Sequence, residues 1–405
     1  MDFIMMKGPG QVLKGRDLIL FADDWGRHPS TPQHLARVLC EHNRILWINS
    51  FGFRAPQFTW GDVERIRRKL ALMTVGRSAD APSPRLHQLH PFALPYYDMP
   101  LARSMNNQLL RHQVLRMTRR LGFERPIILA AHPLVADLLG TLGEASSYYL
   151  CLDDYPALPG AYRCAAALER AVLAKVDAVF SVSRQLQEAR RPRTGESHFL
   201  PQGVDLDHFQ GGTPDADDPL AGMPRPIIGF HGLLSEWIDV DLMVRCANAY
   251  PSMTFVVIGR CDVDPTALAA CPNVRMLGPV PYRDLPGYIR GFDVGLIPFR
   301  VNQLTVASNP LKLIEYLALG VPVVSTDLPE VRRFQPHVTI GEDPDMFIAA
   351  LAGAVGHTSE AARSARRQIA EQYSWRSVTE GMCAVIERVD AAKHGSTGPH
   401  NEAGR

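Results

Sequence analysis

The chain has 405 residues, 46% hydrophobic and 21% charged, with a formal net charge of +1 and seven cysteines. That length exceeds what one core fills, so two domains are expected, and the composition excludes a disordered or disulfide-framed chain. Cysteines without a C-x-x-C pair exclude a zinc knuckle or dithiol motif and favour a reducing compartment. No apolar run approaches the ~20 residues of a membrane span, and the opening residues lack a signal peptide's apolar core, so a cytoplasmic protein is expected.

In chain order, short apolar runs alternate with segments of helical period, the pattern of parallel βα units. Strands are predicted at 17–21, 44–48, 126–130, 148–152, 178–182 and 197–200, with helices at 32–42, 105–121 and 162–175 between them. The aperiodic, Gly/Pro/Asp-rich stretch 211–226 reads as an interdomain linker after an N-terminal domain of residues 1–210. Strands then follow at 226–230, 254–258, 274–277, 294–297, 321–325 and 338–340, with helices at 240–249, 282–290, 310–319 and 344–355. The second domain is thus set at 227–373, followed by a helix at 374–392 packing back on the first domain and a disordered tail from 393. The predicted fold class is α/β, two doubly wound Rossmann-like domains facing across a cleft, with ligands at the carboxyl ends of the strands.

Charge divides unevenly: residues 1–200 carry 26 Lys and Arg against 18 Asp and Glu (+8), and residues 201–405 carry 17 against 24 (−7). The basic residues gather in two helix-like stretches, from Val63 to Arg77 and from Leu109 to Arg125, which suit either an anionic membrane surface or an ordinary solvated helix face. Nucleic acid is not expected, for no aromatic-interleaved basic run accompanies them.

The segment around 308–320 carries the sharpest chemistry. Ser308 or Asn309 is placed as N-cap and Pro310 at the first helical position; Leu311, Ile314, Leu317 and Ala318 form the buried stripe, and Gly320 ends the helix. Lys312 in the first turn opposes the helix macrodipole unless an anion lies in front of it. Amides plus one lysine suit a diphosphate, and Glu315 one turn later suits ribose hydroxyls. In an ordinary surface helix, Lys312 and Glu315 would pair with each other.

N-P-L-K-L-I-E-Y-L-A-L-G-V-P-V-V-S (309–325) resembles the donor-site segment of retaining GT-B glycosyltransferases, and L-P-Q-G-V-D-L-D-H-F (200–209) resembles their domain crossover. With D-D-W (23–25), D-D-Y (153–155) and G-F-H-G (229–232), the chain is similar to the subset serving teichuronic acid and other bacterial surface polysaccharides. The resemblance implies a nucleotide diphosphate sugar donor, a saccharide or lipid-linked acceptor, retention of configuration, and base recognition by backbone after the third strand of the second domain, at Val280. It also places Gly232, Ser308, Asn309, Pro310 and Leu311 at the donor. The first glutamate of the E-x7-E pattern is absent, Ala307 standing there, and no Arg/Lys pair follows the strand at 226–230. Arg260 and Arg300, which follow strands of the same domain, are the substitutes expected to assist Lys312.

In the first domain Asp154, after a strand, is chosen over Asp153 to orient the sugar, with His132 beside it; helix capping and a structural histidine are the alternatives. Asp24 and Trp25 are the acceptor candidates, the indole stacking on a sugar ring. No H-E-x-x-H spacing or strand-end D-x-D pair calls for a metal, and no cofactor is expected. Two other readings remain open: a nucleotide-sugar epimerase or hydrolase, and a non-catalytic nucleotide-sugar-binding subunit of an assembly complex.

Overall fold

The computed structural model describes residues 11–26, 29–51, 83–211, 218–356 and 359–395. The basic stretch from Val63 to Arg77 lies outside them. The chain forms two compact units: residues up to Leu200 together with those from Arg376 onward, and Pro201–Trp375.

The first unit holds a seven-stranded parallel sheet. Its strands are β1 (Asp17–Phe21), β2 (Arg44–Ile48), β3 (Leu86–Leu89), β4 (Ile127–Ala130), β5 (Ser146–Cys151), β6 (Ala178–Ser181) and β7 (Glu196–Phe199), in the order β3-β2-β1-β4-β5-β6-β7. β1, β4, β5 and β6 are buried almost end to end, as expected of parallel strands covered on both faces. The second unit holds β8 (Ile227–His231), β9 (Thr254–Ile258), β10 (Val274–Gly278), β11 (Val294–Ile297), β12 (Val323–Thr326) and β13 (Val338–Gly341), in the order β10-β9-β8-β11-β12-β13. Each sheet reverses its winding once, between β1 and β4 and between β8 and β11, which creates a switch point in each.

The expected boundaries shift in three places. Residues 201–210 belong to the second unit rather than the first. There Asp205 caps the helix Leu206–Gln210, Phe209 is buried, His208 stacks on Tyr282 at 4.3 Å, and the Gln210 amide donates to the Ala318 carbonyl at 3.2 Å. Of the stretch read as a linker, residues 218–226 are packed into that unit: Leu220 is buried and Arg225 pairs with Asp293 at 2.8 Å. The last helix, Trp375–Gly395, runs past residue 393 and lies on the first unit, where Tyr148 donates to Asp390 at 2.7 Å and Lys393 pairs with Asp177 at 2.8 Å.

Candidate functional site

The second unit's switch point is built from glycines and large rings. β8 reads Ile-Ile-Gly-Phe-His and is buried throughout; a side chain on Gly229 would overlap the Phe292 ring. Beyond β8 and β9 the backbone turns at Gly232 (φ +117°) and Gly259 (φ +139°), a region that favours glycine. The Gly232 amide donates to the Ile258 carbonyl at 2.9 Å, and the Gly259 amide to the Gly278 carbonyl at 2.8 Å. The three strand ends are thereby laced into one side-chain-free floor.

The helix Leu311–Ala318 lies at this floor. Tyr316, fully buried, anchors it: its hydroxyl reaches the carbonyls of Gly229 (3.3 Å) and Leu296 (3.4 Å), on the two strands that part at the switch point. The buried face comprises Leu313, Ile314, Tyr316, Leu317 and Ala318, and Gly320 ends the helix at φ +74° as expected. The start differs from expectation. Pro310 occupies the cap position, and no side chain caps the helix. The Ser308 hydroxyl is taken by the Thr305 carbonyl at 2.7 Å, and proline has no side-chain acceptor to offer. Leu313 donates to the Pro310 carbonyl, leaving the amides of Leu311 and Lys312 open. Leu311 and Asn309 are half-buried and Ala307 is buried.

One turn before Tyr316, Lys312 projects between two aromatic faces, its Nζ 4.7 Å from the Phe230 ring centre and 4.8 Å from that of Phe299. A Cβ on Gly232 would stand 3.4 Å from this nitrogen. Lys312 makes no ion pair within 4.0 Å and no hydrogen bond to a described residue, so the pairing with Glu315 that a plain surface helix would show is not formed. Glu315 instead approaches His231, Oε2 to Nε2 at 3.4 Å, out of line for a hydrogen bond. Burial sets the charges here. It lowers the Lys312 pKa to about 8, against the opposing pull of Glu315, and raises Glu315 to about 7, against the pull of Lys312. Burial, joined by the Lys312 charge, drives His231 down to about 3, so that ring is neutral at physiological pH. A cation with open helix amides and no carboxylate within ion-pair distance is electrostatically arranged for an anion.

His231 went unremarked in the sequence as a site residue, although a histidine between a strand end and a glycine is the signal that marks it. The two arginines expected to assist Lys312 are otherwise engaged: Arg260 pairs with Asp262 at 3.0 Å, and Arg300 with Asp241 at 3.1 Å. Arg260 meets an aspartate of its own loop, whereas Arg300 meets Asp241 in the first turn of the helix Val240–Ala249. Val280 is half-buried shortly after β10.

In the first unit, the switch point between β1 and β4 is flanked by the Asp24-Trp25 turn and by His132. Asp24 accepts from the Ser50 amide at 3.1 Å, and the half-buried Trp25 packs edge-on against Trp47 at 4.8 Å under the Arg37 guanidinium. His132 is buried against Phe51, and burial lowers its pKa to about 3. Asp154 is not an open carboxylate: Arg190 holds it at 2.6 Å while reaching Glu169 at 2.7 Å, and Tyr149 donates to Glu169 at 3.0 Å. The neighbouring Asp153 makes no hydrogen bond or ion pair with this network. Its carboxyl has no hydrogen bond or ion pair to a described residue, and burial with the Asp154 charge raises its pKa to about 7. The Asp154 network is buried and mutually satisfied. Arg190→Ala strands two buried carboxylates and is expected to cost ~3 kcal/mol or more of unfolding free energy, measured by urea denaturation; a loss under ~1 kcal/mol would show the cluster to be solvated.

Among the described residues no group of three or more His, Cys, Asp or Glu is arranged to hold a metal, and no helix is long and apolar enough to cross a membrane.

The chain resembles known proteins in sequence and in fold. Residues 225–356 match the family described as Glycosyl transferases group 1. The chain is 32% identical over 188 residues to a Bacillus subtilis protein described as a teichuronic acid biosynthesis glycosyltransferase, TuaH, covering 44% of this chain and 47% of that protein. The chain spans about half the length of the curated relatives it matches. Among solved structures, sucrose-phosphate synthase of Thermosynechococcus elongatus superposes with a TM-score of 0.67 at 14% identity, over 93% of this chain and all of that one. HepE of Anabaena in complex with UDP-glucose superposes with a TM-score of 0.63 at 14% identity, over 92% and 99%. The fold is GT-B. Neither an epimerase or hydrolase nor a non-catalytic subunit finds support among these matches.

Proposed function

We propose that the protein is a glycosyltransferase, moving a sugar from a nucleotide diphosphate sugar to a saccharide or lipid-linked saccharide of a bacterial surface polysaccharide. One observation carries this reading: a recessed first-turn lysine, in front of an uncapped helix, with no carboxylate within ion-pair distance among the described residues. The donor's diphosphate supplies the missing charge. As the bond from sugar to diphosphate breaks, negative charge grows on the leaving oxygen, and Lys312 with the Leu311 and Lys312 amides stabilises it without reorganising. Glu315, held near the neutral His231, accepts from the ribose hydroxyls, and the base lies against the backbone near Val280. In the first unit Asp153, rather than Asp154, is the carboxyl left to meet a sugar hydroxyl, with His132 and Asp24-Trp25 contributing to the sugar and acceptor. Transfer proceeds without a protein-held metal and with retention of configuration, the latter on the family resemblance alone.

A panel of nucleotide sugars, UDP-glucose first because HepE of the same fold holds it, is expected to raise the thermal midpoint, by about 2.7 kcal/mol of stability at a hundred times Kd. The affinity has two limbs. It falls as pH rises through about 8, where Lys312 loses its proton, and as pH falls through about 7, where Glu315 gains one. Lys312→Arg removes the alkaline limb and Glu315→Gln the acid limb. A panel without a single stabilising member would sink the donor site, and a pH-independent affinity would remove these two residues from it.

A further inference from the structure

The first unit carries an apolar surface that the transfer reaction leaves unused. The helix Pro100–Leu121 buries one face through Asn106, Leu110, Val114 and Thr118. On the opposite face, at spacings of four, stand Leu101 (80% exposed), Met105 (61%) and Leu109 (37%), with Met99 at 57% just before the helix. Such residues belong in a core, and three in register on the solvent side form a stripe rather than scattered exposure. Farther along the same outer face the stripe gives way to Arg116, Arg119 and Arg120, all exposed and none paired with a described residue. The helix contains five arginines and neither aspartate nor glutamate. The basic stretch from Leu109 to Arg125 thus supplies the cationic half of the face, and the apolar half runs from Leu101 to Leu109.

We infer that this outer face is a membrane-docking surface: Leu101, Met105 and Leu109 enter the interface of an anionic bilayer while Arg116, Arg119 and Arg120 rest on its lipid phosphates. The charge complement selects the occupant. A second copy of the chain would bring the same arginines against themselves, and an uncharged apolar partner would leave them without counterions, whereas an anionic lipid surface satisfies both halves of the face. The helix lies in the plane of the bilayer and does not cross it.

The test uses the full-length protein and needs no nucleotide sugar, so its outcome is independent of the donor-site reading. Co-sedimentation is measured with vesicles of phosphatidylcholine alone and of phosphatidylcholine with phosphatidylglycerol. Binding is expected only with the anionic vesicles, weakening with salt, and falling about fivefold for each of Arg116→Gln, Arg119→Gln and Arg120→Gln. Leu101→Asp with Met105→Asp is expected to abolish it; because both side chains face solvent, the thermal midpoint stays at the wild-type value, which separates lost docking from lost folding. Absence of anionic-vesicle binding by the wild type, or undiminished binding by the double variant, would overturn the inference. So would a concentration-dependent dimer that the double variant disperses, since a second copy would then own the face.

Discussion

Replacing Lys312 by alanine is expected to lower kcat/KM for sugar transfer by about 100- to 1,000-fold while leaving the fold at least as stable as before. The two effects separate because the lysine is held at a cost. Its pKa is lowered to about 8 by burial, so the unfolded chain binds the proton more tightly than the folded one. The penalty is therefore present in full below about pH 8 and fades as pH rises toward the ordinary lysine value. Alanine removes it, so urea unfolding near neutrality should show an unchanged or higher midpoint. Steady-state kinetics then decide: parallel loss of stability and activity would make Lys312 a packing residue, and near-full activity would end its part in stabilising the leaving group.

Gly259→Ala acts through backbone instead of charge. At φ +139° a side chain is strained whatever the space, and its Cβ would overlap the carbonyl oxygen of Gly232. Strain and overlap together are expected to cost ~3 kcal/mol or more. The Gly232 loop borders Lys312, so the carbonyl can yield only by moving the floor of the proposed donor site, and donor affinity should fall with stability. Gly278→Ala is the control: its φ of +72° lies in the left-handed region, but nothing stands within 4 Å, so a loss of ~1 kcal/mol is expected. Equal losses at both positions would show that the crowding against Gly232 is not felt.

Much of this was legible in the sequence, because buried parallel strands announce themselves as continuous apolar runs. β1, β2, β9 and β11 fall where the runs place them, and the helix ending at Gly320 stops where a left-handed glycine ends helices. β3 escaped notice since Leu86–Leu89 reads Leu-His-Gln-Leu, an edge strand with too few apolar residues to signal burial. The division at Leu200 escaped because composition marks the Gly- and Pro-rich stretch after it, whereas the junction depends on where Phe209 and His208 pack. At the site, residue type revealed Lys312 and Glu315, which are anomalous where they stand. It could not reveal that Asp154 is held by Arg190, thirty-six positions away, nor that Arg300 meets Asp241, fifty-nine positions away, since partners distant along the chain leave no local trace; the Arg260 pairing with Asp262, two residues on, was the one the local sequence could show.

The return of the terminal helix makes the second unit an insertion within the first. Pro201–Trp375 is a continuous stretch and can complete its own sheet while synthesis is still under way. The first unit cannot: Met382, Cys383 and Ile386 belong to its interior, and Tyr148 waits for Asp390. The first unit is therefore finished last, after the second already exists, and a nascent chain halted before residue 376 would hold a folded second unit and an unfinished seven-stranded sheet.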